Sequence, residues 1–123
     1  MRTTHTRIYA DEDGETHFGD ISVDLVTADF APPAPPMRLS DAHPASDVRF
    51  LGAPAGWDSD PHPTPRRQYV VMLRGTCEAE TSDGEVRRFP PGEVVLLEDP
   101  RGKGHRTRIV GDEDWLAAVV SIE

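Results

Sequence analysis

Apolar positions in this chain recur every second residue or in short continuous runs, which is strand behaviour; no segment shows the three-to-four spacing of an amphipathic helix. Ile21, Val23 and Leu25 alternate with Ser22 and Asp24. Val48 and Phe50 flank Arg49, and Cys77, Ala79 and Thr81 alternate with Glu78 and Glu80. Ser82-Asp83-Gly84 then supplies a tight turn, because glycine tolerates positive φ, and Val86 to Phe89 reads as the returning strand. Many short strands punctuated by Gly and Pro turns predict an all-β sandwich or barrel.

Three runs, Tyr69–Leu73, Val94–Leu97 and Leu116–Val120, are apolar on both faces. A strand with one solvated face alternates, so the second face of each run expects a cover. Either the N-terminal segment caps it or a second copy does, and a homodimer is the expected assembly. Residues 1–16 are polar and read as a loose arm or an edge strand, with residues 17–123 as a single domain. The Ala-Pro-Pro-Ala-Pro-Pro run at 31–36 cannot pair in a central strand and reads as an extended polyproline connector.

Composition narrows the function classes. With 13 basic and 22 acidic residues the net charge is -9, which argues against nucleic acid and anionic membrane surfaces as partners. A chain of 123 residues suits one domain with a real core. Cys77 is the single cysteine, so no disulfide framework is expected; it reads as an inward-facing core residue without a reactive thiolate. The polar start, with no apolar run after it, reads as lacking a signal peptide, and the expected compartment is the cytoplasm.

The chemistry concentrates between residues 56 and 107. If the segment from His62 to Met72 is extended, His62, Thr64, Arg66, Gln68, Val70 and Met72 share one face, polar at its start and apolar at its end. His105, Thr107 and Ile109 repeat the gradient, with Arg106 and Arg108 outward. Such a gradient suits a barrel with a wet mouth and a packed floor, and predicts that His62, Gln68 and His105 converge. Isolated histidines (His5, His17, His43) read as surface or hydrogen-bonded residues.

Two spaced motifs carry a resemblance. The first is Gly56-x5-His62-x-Thr64-x3-Gln68-x6-Gly75 and the second Pro100-x-Gly102-x2-His105. With the runs Pro65-Arg66-Arg67-Gln68-Tyr69-Val70-Val71 and Pro91–Asp99, the stretch from Ala55 to Thr107 resembles small bacterial cupin-domain proteins. The resemblance implies a cupin-type jelly-roll β-barrel. In metal-binding cupins two first-motif histidines, a glutamate and the second-motif histidine hold one divalent ion. Carried over, His62 matches the first histidine, Thr64 the second, Gln68 the glutamate and His105 the last. The first motif is thus altered. A set of His62, Gln68 and His105 brings no ligand charge and implies weak binding of Zn, Ni, Fe or Mn.

The expected function is therefore small-molecule chemistry in the barrel mouth. His62, His105 and Gln68 act there in metal-assisted isomerase, cyclase, lyase or dioxygenase chemistry on a polar oxygenated substrate. The alternative is a non-catalytic ligand-binding barrel that has lost its metal. Without metal, His62 and His105 remain able to exchange protons, with Thr64 and Gln68 orienting the substrate. Arg66 either grips a substrate carboxylate or pairs with an acid such as Glu98 or Asp99. Glu98 and Asp99 read either as a buried base beside the ligand or as rim charges. Trp57 reads as lining the entrance or packing under the loops, and Met72 as part of the inward face. Gly102 and Gly104 precede no helix, so no nucleotide cofactor is expected.

Overall fold

A computed structural model describes residues 1–122, and every period-two segment of the sequence lies in or against a strand in it. The strands are β1 (Arg2–Ala10), β2 (Thr16–Asp24), β3 (Val26–Ala28), β4 (Met37–Leu39), β5 (Asp47–Ala53), β6 (Gln68–Arg74), β7 (Thr76–Thr81), β8 (Val86–Phe89), β9 (Val94–Glu98), β10 (His105–Val110) and β11 (Trp115–Ser121). None of the described residues is helical. One sheet has the order β2-β1-β9-β6-β11-β5 and a second the order β10-β7-β8; β3 and β4 form a separate hairpin. Residues 57–62 extend the small sheet without being a regular strand. Ser59 N donates to Thr107 O at 3.0 Å and Ile109 N to Trp57 O at 2.8 Å.

The core lies between the sheets. Ile8, Val70, Val95, Trp115 and Val119 of the large sheet meet Cys77, Ala79, Phe89 and Ile109 of the small one. Parity explains the selection. In β11 the residues Trp115, Ala117, Val119 and Ser121 are buried and those between are half-buried. In β7, Cys77, Ala79 and Thr81 point inward, while Glu78 and Glu80 stand on the outer face opposite Arg108 and Arg106 of β10. Glu78 also faces Arg88 of β8, and the guanidinium groups of Arg108 and Arg88 hold its carboxyl below the usual carboxylate range.

Three expectations need correction. Residues 1–16 are neither a loose arm nor the sheet edge. β1 pairs antiparallel with β2 and parallel with β9, so it is an interior strand with Ile8 in the core. This also removes the N-terminal segment as a cap over the two-sided runs, since it extends the sheet sideways. Pro32 and Pro33 form a turn closed by Ala34 N donating to Ala31 O at 2.9 Å, joining β3 to β4 instead of running as an extended connector. On the far edge, β5 leaves Val48 and Phe50 exposed, at 60% and 74%.

The β1–β2 turn is tied to the β7–β8 turn at the end of the barrel. Thr16 N donates to Ser82 Oγ at 2.7 Å, and Ser82 N returns to Thr16 Oγ1 at 2.8 Å. Beside them, His17 places Nε2 2.8 Å from Asp11 Oδ2 and Nδ1 2.9 Å from Asp83 Oδ2, with the Lys103–Glu15 ion pair adjacent. Two ring nitrogens can both donate only in the imidazolium. The hydrogen bond to Asp11, then that to Asp83, raises the His17 pKa, and both carboxyls are lowered. The stabilisation from His17 is therefore complete below the unfolded value of about 6.5 and is lost as pH rises through the higher folded value. The melting-temperature gap between wild type and His17→Gln is expected to be widest near pH 6 and to close by pH 9. A gap independent of pH in that window would show that His17 contributes only contact.

Candidate functional site

The space between the sheets is not completely filled. A cavity of about 210 Å³ opens beside the 54–65 segment, with Ile8, Val70, Met72, Phe89, Val95 and Trp115 around its apolar part. His62, Thr64, Gln68, His105 and Thr107 supply polar side chains, Trp115 carries a buried Nε1–H without a partner, and the half-exposed Leu51 and Trp57 also line the space. The expected gradient along 68–72 holds, because Gln68, Val70 and Met72 are inward residues of β6.

His62 and His105 are brought together by backbone pairing. His62 N donates to His105 O and His105 N to His62 O, both at 3.0 Å, and the ring centroids are 5.1 Å apart. Gly104 permits this. It has φ +74°, and a Cβ there would stand 2.2 Å from the His62 carbonyl carbon. No side chain larger than hydrogen fits between the two histidine backbones.

His105 is buried at the end of β10, and its Nδ1 lies 2.7 Å from Asp99 Oδ2. Asp99 is completely buried, and its other oxygen, Oδ1, has no partner. A neutral imidazole donating its Nδ1–H to this carboxylate presents a bare Nε2. His62 is exposed at the rim, and its Nδ1 lies 2.9 Å from Asp60 O, so its Nε2 is likewise free of the backbone. Thr64 Oγ1 donates to Arg66 O at 2.8 Å and accepts from Gln68 Nε2 at 3.3 Å. That leaves the Gln68 carbonyl oxygen as the acceptor for a ligand.

Arg66 and Glu98 do not line the cavity. The chain bends at 65–67 before β6 begins, which breaks the parity that would have turned Arg66 inward; its guanidinium lies 3.7 Å from Asp47. Glu98 is an outward residue of β9, 2.9 Å from Arg7 and 2.7 Å from Arg67. Asp99, which sequence reasoning left undecided between a buried base and a rim charge, is the carboxyl that reaches His105. The signal was present in β9, where Val95 and Leu97 face the cavity, so the next residue of that parity is Asp99. Cys77 is inward as expected, and burial pushes its thiol pKa up to about 12. The contributions of Leu51, Ile8 and Phe89 carry no local signal beyond being apolar.

The donor set does not fit a tightly held metal. His62 and His105 offer two imidazole nitrogens and Gln68 one amide oxygen, while no carboxylate of the described residues lines the cavity. Among the described residues, no group of three His, Cys, Asp or Glu side chains is placed to hold an ion. No described helix is long and apolar enough to cross a membrane.

No family model matches the chain, and no curated protein matches it. Among solved structures, the cupin domain of Schizosaccharomyces pombe Cnp3 matches 98% of this chain and 88% of its own, at 12% identity and a TM-score of 0.51. The conserved SPY1581 protein of unknown function from Streptococcus pyogenes is 19% identical over 62% of this chain, with a TM-score of 0.44; the match spans 64% of that protein, just under two thirds. Protein NMB1881 from Neisseria meningitidis is 15% identical over 60% of this chain and 71% of its own, with a TM-score of 0.43. At such identities likeness concerns fold alone. The eleven strands, the core held between two sheets and the near full-length match to the Cnp3 domain establish that this chain folds as a cupin-type jelly-roll β-barrel.

Proposed function

We propose that this barrel is a small-molecule enzyme of the proton-transfer kind, an isomerase, cyclase or lyase, in which His105 exchanges a proton with a substrate held in the cavity. The observation that carries the reading is the buried Asp99–His105 pair at 2.7 Å, with the imidazole lining the cavity. A carboxylate on Nδ1 fixes the tautomer and orientation of the ring and stabilises the imidazolium that forms when Nε2 takes a proton. His62, with its ring 5.1 Å away at the rim, stands where a second proton carrier would meet solvent. Gln68, its amide NH₂ held by Thr64, offers its carbonyl oxygen to a donor group of the substrate.

The test is hydrogen exchange on carbonyl compounds. A panel of ketones, neutral and charged, is incubated with the protein in D₂O, and loss of the α-proton signal is followed by NMR. Wild type is expected to accelerate exchange for at least one member. His105→Gln and Asp99→Asn should each slow it about 10²-fold or more. Exchange that survives His105→Gln rejects the assignment, and exchange on no member favours the alternative, a barrel that only binds its ligand.

Two imidazoles and an amide support no more than weak binding of a divalent ion, and the proposed proton transfer needs none. Dialysis against EDTA is accordingly expected to leave the melting temperature unchanged. A native-state ligand raises stability with the logarithm of its concentration over its dissociation constant, so a fall of several degrees would reveal a resident metal and overturn this point.

A further inference from the structure

We infer that the substrate is an uncharged, largely apolar molecule carrying its hydrogen-bonding group at one end. This rests on the proposed function of the same site and narrows its substrate class. It also departs from the carboxylated or richly oxygenated substrate that the sequence suggests.

Among the described residues, no Lys, Arg, Asp or Glu lines the cavity. Arg66, the cation expected there, lies beside Asp47. The nearest ionisable carboxyl behind the site is Asp99, of the same sign as an anionic substrate, and the whole chain carries -9. A carboxylate or phosphate entering the barrel would leave water without meeting a fixed cation. A sugar fails for a different reason. The hydrogen-bonding side chains His62, Thr64, Gln68, His105 and Thr107 come from the mouth segment and the first residues of β6 and β10. The other wall is Ile8, Val70, Met72, Phe89, Val95 and Trp115, whose Nε1–H is buried without a partner; one donor cannot serve the several hydroxyl groups of a sugar, and the rest would lie buried and unpaired. An apolar body against that wall with one hydroxyl donating to His105 Nε2 or to the Gln68 carbonyl oxygen satisfies both halves. Leu51 and Trp57, both exposed and both lining the cavity, give the entrance apolar lips.

The experiment uses three probes on the intact chain: p-cresol, 4-hydroxybenzoate and glucose. Affinity is read by titration, and location by NMR of the methyl groups of Ile8, Met72 and Val95. p-Cresol is expected to bind and shift those methyls, with 4-hydroxybenzoate about 100-fold weaker or worse, the acid being the same ring with one uncompensated charge. Glucose should shift none of them. Thr107→Lys, at a half-buried lining position, should raise affinity for 4-hydroxybenzoate at least about tenfold by supplying the missing cation. Equal binding of the acid or binding of glucose in the cavity overturns the inference. So does failure of p-cresol to reach the three methyls, or a folded Thr107→Lys that gains nothing. The exchange assay separates the two readings. Selective p-cresol binding without any α-proton exchange leaves the ligand class standing and rejects the chemistry. Exchange on pyruvate in preference to neutral ketones rejects the ligand class and leaves the chemistry standing.

Discussion

Gly104→Ala is expected to destabilise the protein by about 4 kcal/mol or more, at the upper end of what single substitutions do. Its added Cβ would lie 2.2 Å from the His62 carbonyl carbon, 2.3 Å from its oxygen and 2.6 Å from Pro63 N. All three are backbone atoms. They cannot yield cheaply, because His62 is held by reciprocal hydrogen bonds to His105, and the Gly104 carbonyl accepts from Thr16 Oγ1 at 2.6 Å. The left-handed backbone at φ +74° adds the ordinary penalty for a non-glycine residue. Gly84→Ala isolates that second contribution. Gly84 has φ +92° and nothing within 4 Å of the position of its Cβ, so it should cost only about 1 kcal/mol. Urea unfolding of both variants decides the matter. Equal losses would mean that the close approach of the two histidine segments is not built into the native state.

Asp99 is expected to separate stability from function. Asp99→Ala should cost about 2–3 kcal/mol, because it leaves the buried Nδ1–H of His105 without an acceptor and opens a void. Asp99→Asn keeps the shape and an acceptor oxygen. It also removes a fully buried carboxylate whose Oδ1 has no partner, a costly group to keep in the interior. Its cost should stay below about 1 kcal/mol, and a gain in stability would fit the same physics. Yet Asn also offers an NH₂ to Nδ1, which favours the other tautomer, so ¹⁵N shifts of the His105 ring should report the proton moving to Nε2. A structural role alone would make Ala and Asn differ in stability and leave the tautomer where it was. Asn as destabilising as Ala would show that the negative charge itself holds this end of β10.

The strand content was legible because burial on one face of a pleated strand demands alternation. Cys77–Thr81 and Val86–Phe89 appear where the pattern puts them, as one hairpin through Ser82-Asp83-Gly84. The convergence of His62, Gln68 and His105 was legible for the same reason, since inward parity and the motif spacing agree. Arg66 was misplaced because parity counts only through regular strand, and the chain bends at 65–67. The polar residues of β1 disguise it, because they lie at exposed or half-buried positions of an interior strand whose one buried residue is Ile8. Of its neighbours, β2 follows through the turn at 11–15, while β9 is brought to it by pairing across the fold.

Local sequence by itself thus determined that the chain makes short strands, which faces of many of them turn inward, and that two imidazoles sit near one opening. These follow from side-chain period and turn chemistry, which act over a few residues. Tertiary structure alone decided which oxygen meets which nitrogen. Asp99 Oδ2 meets His105 Nδ1, Arg66 lies beside Asp47, and no Lys, Arg, Asp or Glu of the described residues walls the cavity. Those outcomes depend on sheet order and on backbone approach at single positions such as Gly104, where a few tenths of an ångström between segments distant in the chain settle what can touch.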